Sequence, residues 1–408
     1  MAGCVSDAQT GIRTDSLRSV RGALVLLVGV ASLALVGCAA GAETAGRPTS
    51  APVMPTPSPG ELPASTAEEL QRVLGDWLGT ERLPGVTAAV VTPEGSWAGA
   101  AGVDGEGTVL VPESAMAIGS ITKTFTAAEV MLLAAHGLVD LDAPISDYVD
   151  LPFDARGATV RQVLNMSSGF PRDPIEAATE AAIADPERDY AVGDEIAFVD
   201  ADTYRVGALG YGQEYNNLNY AVLGEMIEQV TGRTYAQAIR ADLLDTTDLT
   251  RVWVQDDETP QPPLAVGAIL PALPVVDPDS PWLPSRALAS IVGSDGGIAA
   301  DAPTLARWGA LLYGGHIIDA GLVEQMTAGL QQDDDWYGLG TVRGEYDGQP
   351  WVGHLGDIVS YHGKLIVFPD PGIAVAYLVP APSTYRFSGV LRDTDLAVQL
   401  RDATTAGR

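Results

Sequence analysis

Apolar and polar positions follow two rhythms along this chain, and the changes of rhythm mark its elements. Leu70, Val73, Leu74, Trp77 and Leu78 recur at helical spacing, with Ser65 and Glu68 placed ahead of them as a capping box. This predicts a helix opening the folded body near Ser65. Val86–Thr92 and Trp97–Val103 are strand-like runs split by Pro93-Glu94-Gly95, which predicts a hairpin. A helical rhythm returns over residues 120–136 and stops at His136-Gly137, a C-terminal cap signal. Thr159–Met166 reads as a short helix ended by Ser167-Ser168-Gly169, and residues 171–213 are acidic and weakly periodic, with two short helices among loops. Tyr220–Thr231 is amphipathic and closes on Gly232. Residues 255–288 are a proline- and turn-rich excursion, and Ser294-Asp-Gly-Gly297 leads into a helix over 303–312. Tyr337–Val342, Pro350–Gly353 and Lys364–Phe368 predict strands, Pro369-Asp-Pro-Gly372 turns the chain into Ile373–Val379, and a last helix covers 388–402. Strands near both ends with helices between them predict an α/β (α+β) fold. Its antiparallel sheet is built from both ends of the body and flanked by helices, with a mostly helical inserted lobe.

The first residues follow a different pattern. Residues 22–36 are apolar and follow Arg18 and Arg21. The run is short for a bilayer span and fits the core of a signal peptide, with an uncleaved anchor helix as the alternative. Leu35-Val36-Gly37-Cys38 resembles the lipobox of bacterial lipoproteins, which implies cleavage before Cys38 and lipidation of its thiol. Either way the body is expected to face away from the cytoplasm, held at a membrane. Residues 39–64 are rich in Ala, Gly, Thr, Ser and Pro and read as a tether. The expected organisation is a signal segment over 1–37, a lipidated N-terminus and tether over 38–64, a body over 65–402 and a tail over 403–408.

Composition narrows the function classes. With 408 residues, 46% hydrophobic and 19% charged, the chain can bury a large core in one domain or two lobes. A net charge of −30, spread along the sequence, argues against nucleic acid and against adsorption to anionic lipid. The two cysteines, Cys4 and Cys38, lie ahead of the body, so no disulfide framework is expected. No metal-ligand spacing, phosphate loop or Gly-x-Ser-x-Gly elbow stands in the body, so neither metal nor cofactor is expected.

Ser120 and Lys123 stand three residues apart where a helical rhythm begins. On a helix i and i+3 share a face, so hydroxyl and amine can meet. A serine hydroxyl needs a base, and a lysine desolvated by burial can become one. The chain uses arginine for every cation except Lys123 and Lys364, and arginine cannot serve as a base. The spacing alone equally describes a helix-capping serine and a solvated lysine. Likewise Tyr215-Asn216-Asn217 reads either as reactive groups or as a turn with an asparagine cap. His354 on a strand is either a site residue or a half-buried core histidine, and His136, His316 and His362 receive no role.

Taken together, Gly119-Ser-Ile-Thr-Lys-Thr-Phe-Thr-Ala-Ala128, His136–Asp142, Val160–Gly169, Tyr215–Gly232 and Gly353-His-Leu-Gly356 resemble the serine β-lactamase and penicillin-binding-protein family. The likeness spans about residues 66–402 and is nearest to the class C branch, with D-alanyl-D-alanine carboxypeptidases and related esterases. It implies a β-lactamase/transpeptidase-like fold and an acyl-serine mechanism with Ser120 as nucleophile and Lys123 as its activating amine. Tyr215 would relay a proton to the leaving group, and Asn217 would orient lysine and substrate. His354, Leu355 and Gly356 would form the substrate-side strand. The backbone N–H groups of Ser120 and Asp357 would make the oxyanion hole. Two positions depart from the family pattern, which has a hydroxyl at 355 and a small residue at 357. Leu355 removes a donor and Asp357 adds a charge, so carboxylate-bearing ligands are expected to bind weakly. Ser360 and Gly363 also stand where relatives often have Gly and Ser. The resemblance implies a D,D-carboxypeptidase or β-lactamase-like activity. An esterase or D-amino-acid peptidase and a silent wall-associated binding protein remain open. A small-molecule or peptide substrate, with possible cell-wall association, is the expected partner.

Overall fold

The computed structural model describes residues 54, 57–58, 60–201, 205–268, 285–329, 336–381 and 396–405. The signal segment, Cys38 and most of the tether lie outside these residues, as does the stretch 388–395 assigned to the last helix. The tether's end is part of the body: Glu61 bridges to Ser96, and Leu62 N–H donates to Ser96 O at 2.9 Å.

The main sheet is antiparallel with six strands. They are β1 (Gly85–Thr92), β2 (Gly95–Gly102), β6 (Val342–Tyr346), β7 (Gln349–Ile358), β8 (Tyr361–Phe368) and β9 (Ile373–Val379). Their spatial order is β2-β1-β9-β8-β7-β6, so the two ends of the body meet at the β1–β9 pair, as the strand pattern predicts. β1, β8 and β9 are buried at every position, because helices cover both faces of the sheet. On one face, Trp77 of α1 (Ala64–Glu81) meets Tyr377 at 5.7 Å between ring centroids, and Arg401 of a C-terminal helix covers Phe368. The other face carries Leu365 and Val367, which pack against Gly309 in the helix Ala302–Tyr313.

Four expectations need correction. α1 starts at Ala64 with Pro63 as its cap residue, and Ser65 makes no capping bond; proline suits the first turn because it has no N–H to satisfy. Tyr337–Val342 is a single bridge between its end residues, and the strand begins at Val342. β7 runs beyond Gly353 to Ile358, so His354, Leu355 and Gly356 sit inside a strand. The last described helix extends to Thr405, past the expected tail boundary.

A second, three-stranded sheet was not apparent from the sequence. It has the order β3 (Met116–Ala117), β5 (Ile298–Ala300), β4 (Val252–Val254). It is short, but it fixes two distant segments: Ile118 N–H donates to Ile298 O at 3.0 Å, tying the approach to Ser120 to the exit from Asp295.

The helix α2 (Thr122–Ala135) is buried nearly all round, which suits its apolar, weakly amphipathic sequence. Glu129 is the exception. It is fully buried, and among the described residues neither carboxylate oxygen has a donor. Burial pushes its carboxyl up from 4.5 to about 8; Asp242 pushes the same way, while Arg233 opposes. The fold therefore binds this proton more tightly than the unfolded chain does. That contribution is complete below about pH 4.5 and is lost as pH rises toward 8. Glu129→Gln is accordingly expected to stabilise the protein at pH 8 by a few kcal/mol, roughly 2–4. It should also flatten the fall in stability between pH 5 and 8. Urea melts at both pH values check this; an unchanged pH dependence refutes it.

Candidate active site

The site grows from the turn between β3 and α2. Gly119 has φ +52°, a left-handed conformation, and a Cβ there would fall 2.9 Å from Asp357 O and 3.0 Å from Asp357 N. Glycine at this position both makes the turn and lets β7 close on it. Gly119–Ile121 forms one tight helical turn that runs into α2. It places Ser120 Oγ 3.1 Å from Lys123 Nζ.

Lys123 is completely buried. Its Nζ donates to Asn217 Oδ1 at 2.9 Å and to the carbonyl oxygen of Asp295 at 2.7 Å. Both partners are acceptors only, so they take two N–H bonds and leave the third position of Nζ facing Ser120 Oγ. From the other side Tyr215 OH donates to Ser120 Oγ at 2.7 Å. The hydroxyl of Ser120 is thus held between an amine and a phenol.

Tyr215 and Asn217 flank the start of the helix α3 (Leu218–Thr231). Asn216 takes the turn role: its side-chain amide donates to Pro171 O at 2.8 Å and its Oδ1 accepts from Leu218 N–H at 3.2 Å. With Asn216 turned into the protein, Tyr215 and Asn217 aim at Ser120 and Lys123. The two readings open in the sequence are both realised, by different residues of one tripeptide. Asn217 N–H also donates to Asp173 Oδ2 at 3.2 Å.

β7 brings the remaining residues, in an arrangement that differs from expectation. β6 pairs with β7 only as far as Gly353, so the edge over 354–358 is free, and the Ser120 turn lies against it. Gly356 does not open the strand to a ligand: a Cβ there would fall 1.9 Å from Ile118 O, so it permits contact between two protein backbones. Nor is His354 a cation beside Tyr215. It is buried, with Nδ1 2.6 Å from Leu355 O and Nε2 3.0 Å from Tyr337 OH. The carbonyl can only accept, so Nδ1 carries the proton and Nε2 accepts from Tyr337. Burial, with Lys123 adding to it, pushes the imidazole down to about 3 against the opposing Leu355 carbonyl, so the ring is neutral. Its ring lies 6.4 Å from that of Tyr215 and supports the tyrosine through Tyr337.

Leu355 and Asp357 do share one strand face, opposite Lys364 and His362 of β8. Leu355 packs on the core. The Asp357 carboxylate accepts from His362 Nδ1 at 2.8 Å and is 26% exposed, so it is neither free nor fully solvated. The β7–β8 turn has two residues, Val359 and Ser360, between paired Ile358 and Tyr361. In such a hairpin the pair next to the turn exchanges hydrogen bonds and the following pair does not. Asp357 N–H therefore points to the free edge, toward Gly119 and Ser120. Val359 has φ +45°, an uncommon conformation for a β-branched residue, so this turn beside the site is strained.

Beneath Lys123 lie three acids, Asp295 and Glu195 buried and Asp173 half-buried. Asp295 Oδ2 is 3.8 Å from Nζ, while among the described residues Asp295 Oδ1 and Glu195 Oε1 have no hydrogen-bond partner. Burial is the main cause raising all three carboxyls: Asp295 to about 7, Glu195 well above its usual range, and Asp173 upward. Lys123 opposes each shift. A narrow cleft of about 40 Å³ reaches Ser120 past Ile175, Leu288, Val292, Asp295 and Asp357. A roomier cavity of about 700 Å³ lies at the far end of α2, around His136, His316 and Arg233, and contains none of these groups. Among the described residues no cluster of His, Cys, Asp and Glu is arranged to hold a metal ion.

Sequence reasoning missed Asp295, Glu195, Tyr337 and His362. The pairing of Asp357 with His362 had a signal, since residues i and i+5 face each other across a two-residue turn. The approach of Asp295 to Lys123 had none, because it depends on the small sheet.

A helix-borne Ser-Lys pair with a tyrosine on the serine, set against the edge of an antiparallel sheet, defines a serine hydrolase. The chain belongs to the beta-lactamase family, whose model matches residues 64–398. Among curated relatives, penicillin-binding protein 4 of Amycolatopsis lactamdurans is 27% identical over 335 residues, covering 74% of this chain and 82% of that protein. Among solved structures, a D-stereospecific amidohydrolase from Streptomyces sp. is 25% identical with a TM-score of 0.67, covering 84% of this chain and 99% of the other. D-amino acid amidase from Ochrobactrum anthropi SV3, at 22% identity and a TM-score of 0.70, shares the fold over the same proportions.

Proposed function

We propose that this protein cleaves amides or esters through an acyl-Ser120 intermediate. The observation that carries the reading is Ser120 Oγ held between Lys123 Nζ at 3.1 Å and Tyr215 OH at 2.7 Å. Oγ attacks the carbonyl carbon as its proton passes to Lys123. Charge develops on the carbonyl oxygen between the N–H groups of Ser120 and Asp357. Tyr215 gives a proton to the departing nitrogen or oxygen and regains one by way of Lys123. Water then attacks the acyl carbon, and Ser120 recovers its hydrogen. Asn217 holds the lysine, and His354 holds the tyrosine's aromatic support.

The family default is a D,D-carboxypeptidase or β-lactamase. Leu355 and Asp357 favour uncharged amides, esters and amidated peptides, because the strand offers no hydroxyl and presents a carboxylate. The Streptomyces relative, named as a D-stereospecific amidohydrolase, is in keeping with this reading. The lipobox at Cys38 supports action outside the cytoplasm from a lipid anchor, with cell-wall material within reach.

A fluorophosphonate probe followed by peptide mapping tests the nucleophile, with a Ser120 adduct expected and modification elsewhere refuting it. A labelled penicillin tests the substrate side. Slow, substoichiometric labelling is expected; rapid stoichiometric labelling overturns the preference for uncharged groups.

A further inference from the structure

Tyr215 carries the proton that the departing group needs, and among the described residues its OH has Ser120 Oγ as its one hydrogen-bond partner. That oxygen stands at the far end of a ring that turns about two side-chain bonds, so a small swing of the ring carries it out of line. What holds the ring is aromatic. Trp336 stacks on it with centroids 6.4 Å and planes 25° apart, and Tyr337 meets it edge-on at 6.4 Å and 88°. The two supports differ. Tyr337 is buried and bonded to His354, whereas Trp336 is half-buried, and its ring partners among the described residues are Tyr215 and Tyr337. The backbone of Trp336 is fastened to the tyrosine's own loop. Gln213, two residues before Tyr215, accepts through Oε1 from Trp336 N–H at 3.3 Å and from Tyr337 N–H at 3.0 Å. Its Nε2 donates to Tyr337 O at 2.5 Å and to Asn165 O at 3.1 Å. Trp336 O accepts from Arg343 N–H at 2.9 Å. The indole is thus fixed at both of its peptide groups and laid against Tyr215.

We propose that Trp336 is a positioning residue for leaving-group protonation: the indole keeps the Tyr215 ring at the angle that puts its hydroxyl in line with both Ser120 Oγ and the departing atom. The inference rests on the acyl-serine reading above and adds a residue to it. As the bond from the acyl carbon to the leaving nitrogen or oxygen breaks, its electron pair goes to that atom, which takes the Tyr215 proton. Tyr215 recovers a proton through Lys123, which received it from Ser120. Attack itself depends on Lys123, and Asn217 and the Asp295 carbonyl hold that amine without help from Trp336. Loss of the indole should therefore spare attack and impair departure, and only for groups that need a proton to leave. A weakly basic group departs as its anion, whereas a strongly basic one needs the donor. A misplacement of about 1 Å is enough to cost about a hundredfold in such a step. The signature is a change in selectivity among leaving groups, which lost packing alone does not produce.

The test uses ethyl alkylphosphonates that share one alkyl group and carry 4-nitrophenoxide or phenoxide as the leaving group, with the matching fluorophosphonate as control. Ser120 Oγ bonds to phosphorus as the bond from phosphorus to the aryl oxygen breaks, and that oxygen takes the Tyr215 proton when it needs one. The two aryl groups are alike in shape, so direct contact with the indole affects both. The readout is the ratio of the 4-nitrophenyl to the phenyl labelling rate. Tyr215→Phe should raise this ratio about a hundredfold, and Trp336→Leu and Trp336→Gln about tenfold. Trp336→Phe keeps a ring to stack and should stay within about threefold of the wild type. An unchanged ratio in either folded variant, Trp336→Leu or Trp336→Gln, overturns the proposal however far both rates fall, because packing is then the whole role. So does an unchanged ratio in Tyr215→Phe, or a wild type that reacts with the fluorophosphonate and with neither aryl ester. Absence of any Ser120 adduct, the fluorophosphonate included, defeats the acyl-serine reading itself; adducts with an unmoved ratio defeat only this inference.

Discussion

Lys123→Met is expected to lower the rate of Ser120 acylation by about a thousandfold, within the range for loss of a positioned base. The substitution keeps length and suits the burial, because the lysine stem is already completely enclosed. What it removes is the one group within 3.1 Å of Ser120 Oγ that can take its proton while being held by two acceptors. Tyr215 OH stays at the serine, but its hydrogen points toward Oγ, and among the described residues it has no second hydrogen-bond partner to relay through. Stability should move far less than activity. Asn217 Oδ1 and the Asp295 carbonyl each lose a donor, at roughly 1–3 kcal/mol for an unsatisfied buried group, while the cost of desolvating the amine disappears. Fluorophosphonate labelling and turnover of a short-chain ester measure the effect, with circular dichroism showing that the fold persists. A labelling rate within tenfold of the wild type would mean that the base is not Lys123. Lys123→Arg should be no better, because guanidinium keeps its proton and is too large for the space of a fully enclosed lysine headgroup.

Local spacing revealed the groups that sit on one element and concealed those that meet across elements. Ser120 and Lys123 share a helix face, so three residues of sequence are enough to pair them. Tyr215 and Asn217 start a helix whose rhythm and closing glycine are plain, and the β8–β9 hairpin is announced by its Pro-Asp-Pro-Gly turn. Asp295, in contrast, reaches Lys123 across 172 positions, through a three-residue strand too short to have a period. Pattern alone ends β7 at Gly353, whereas the family resemblance carries a strand through His354-Leu355-Gly356; the strand continues there because β8 pairs with it and Ile118 packs on its glycine. The charge state of His354 is not legible in the sequence for the same reason. Its sequence neighbours give no sign of the burial or of Tyr337, and those decide that the ring is neutral.

Gly356→Ala tests whether that backbone contact, and no side chain of His354-Leu355, sets the site. Gly356 lies within β7 and is not among the positive-φ residues, so alanine carries no conformational penalty and the whole effect is steric. The new Cβ would stand 1.9 Å from Ile118 O and 3.1 Å from Ile121 Cγ1. A carbonyl oxygen in a turn cannot swing aside as a side chain can, so the strand and the Ser120 turn must separate. Overpacking of this kind costs about 1–3 kcal/mol of stability. The catalytic loss should be larger than that suggests. Asp357 N–H and Ser120 N–H stand on opposite sides of the widened gap, and removing one oxyanion donor from position lowers turnover by about 10²–10³-fold. Lys123 and Tyr215 are not on β7, so their hold on Ser120 Oγ should survive, and binding of a competing ligand should fall much less than turnover. Parallel measurement of kcat and of ligand protection separates the two effects. Unchanged kcat in a folded Gly356→Ala protein would show that the oxyanion is held somewhere other than between Ser120 and Asp357.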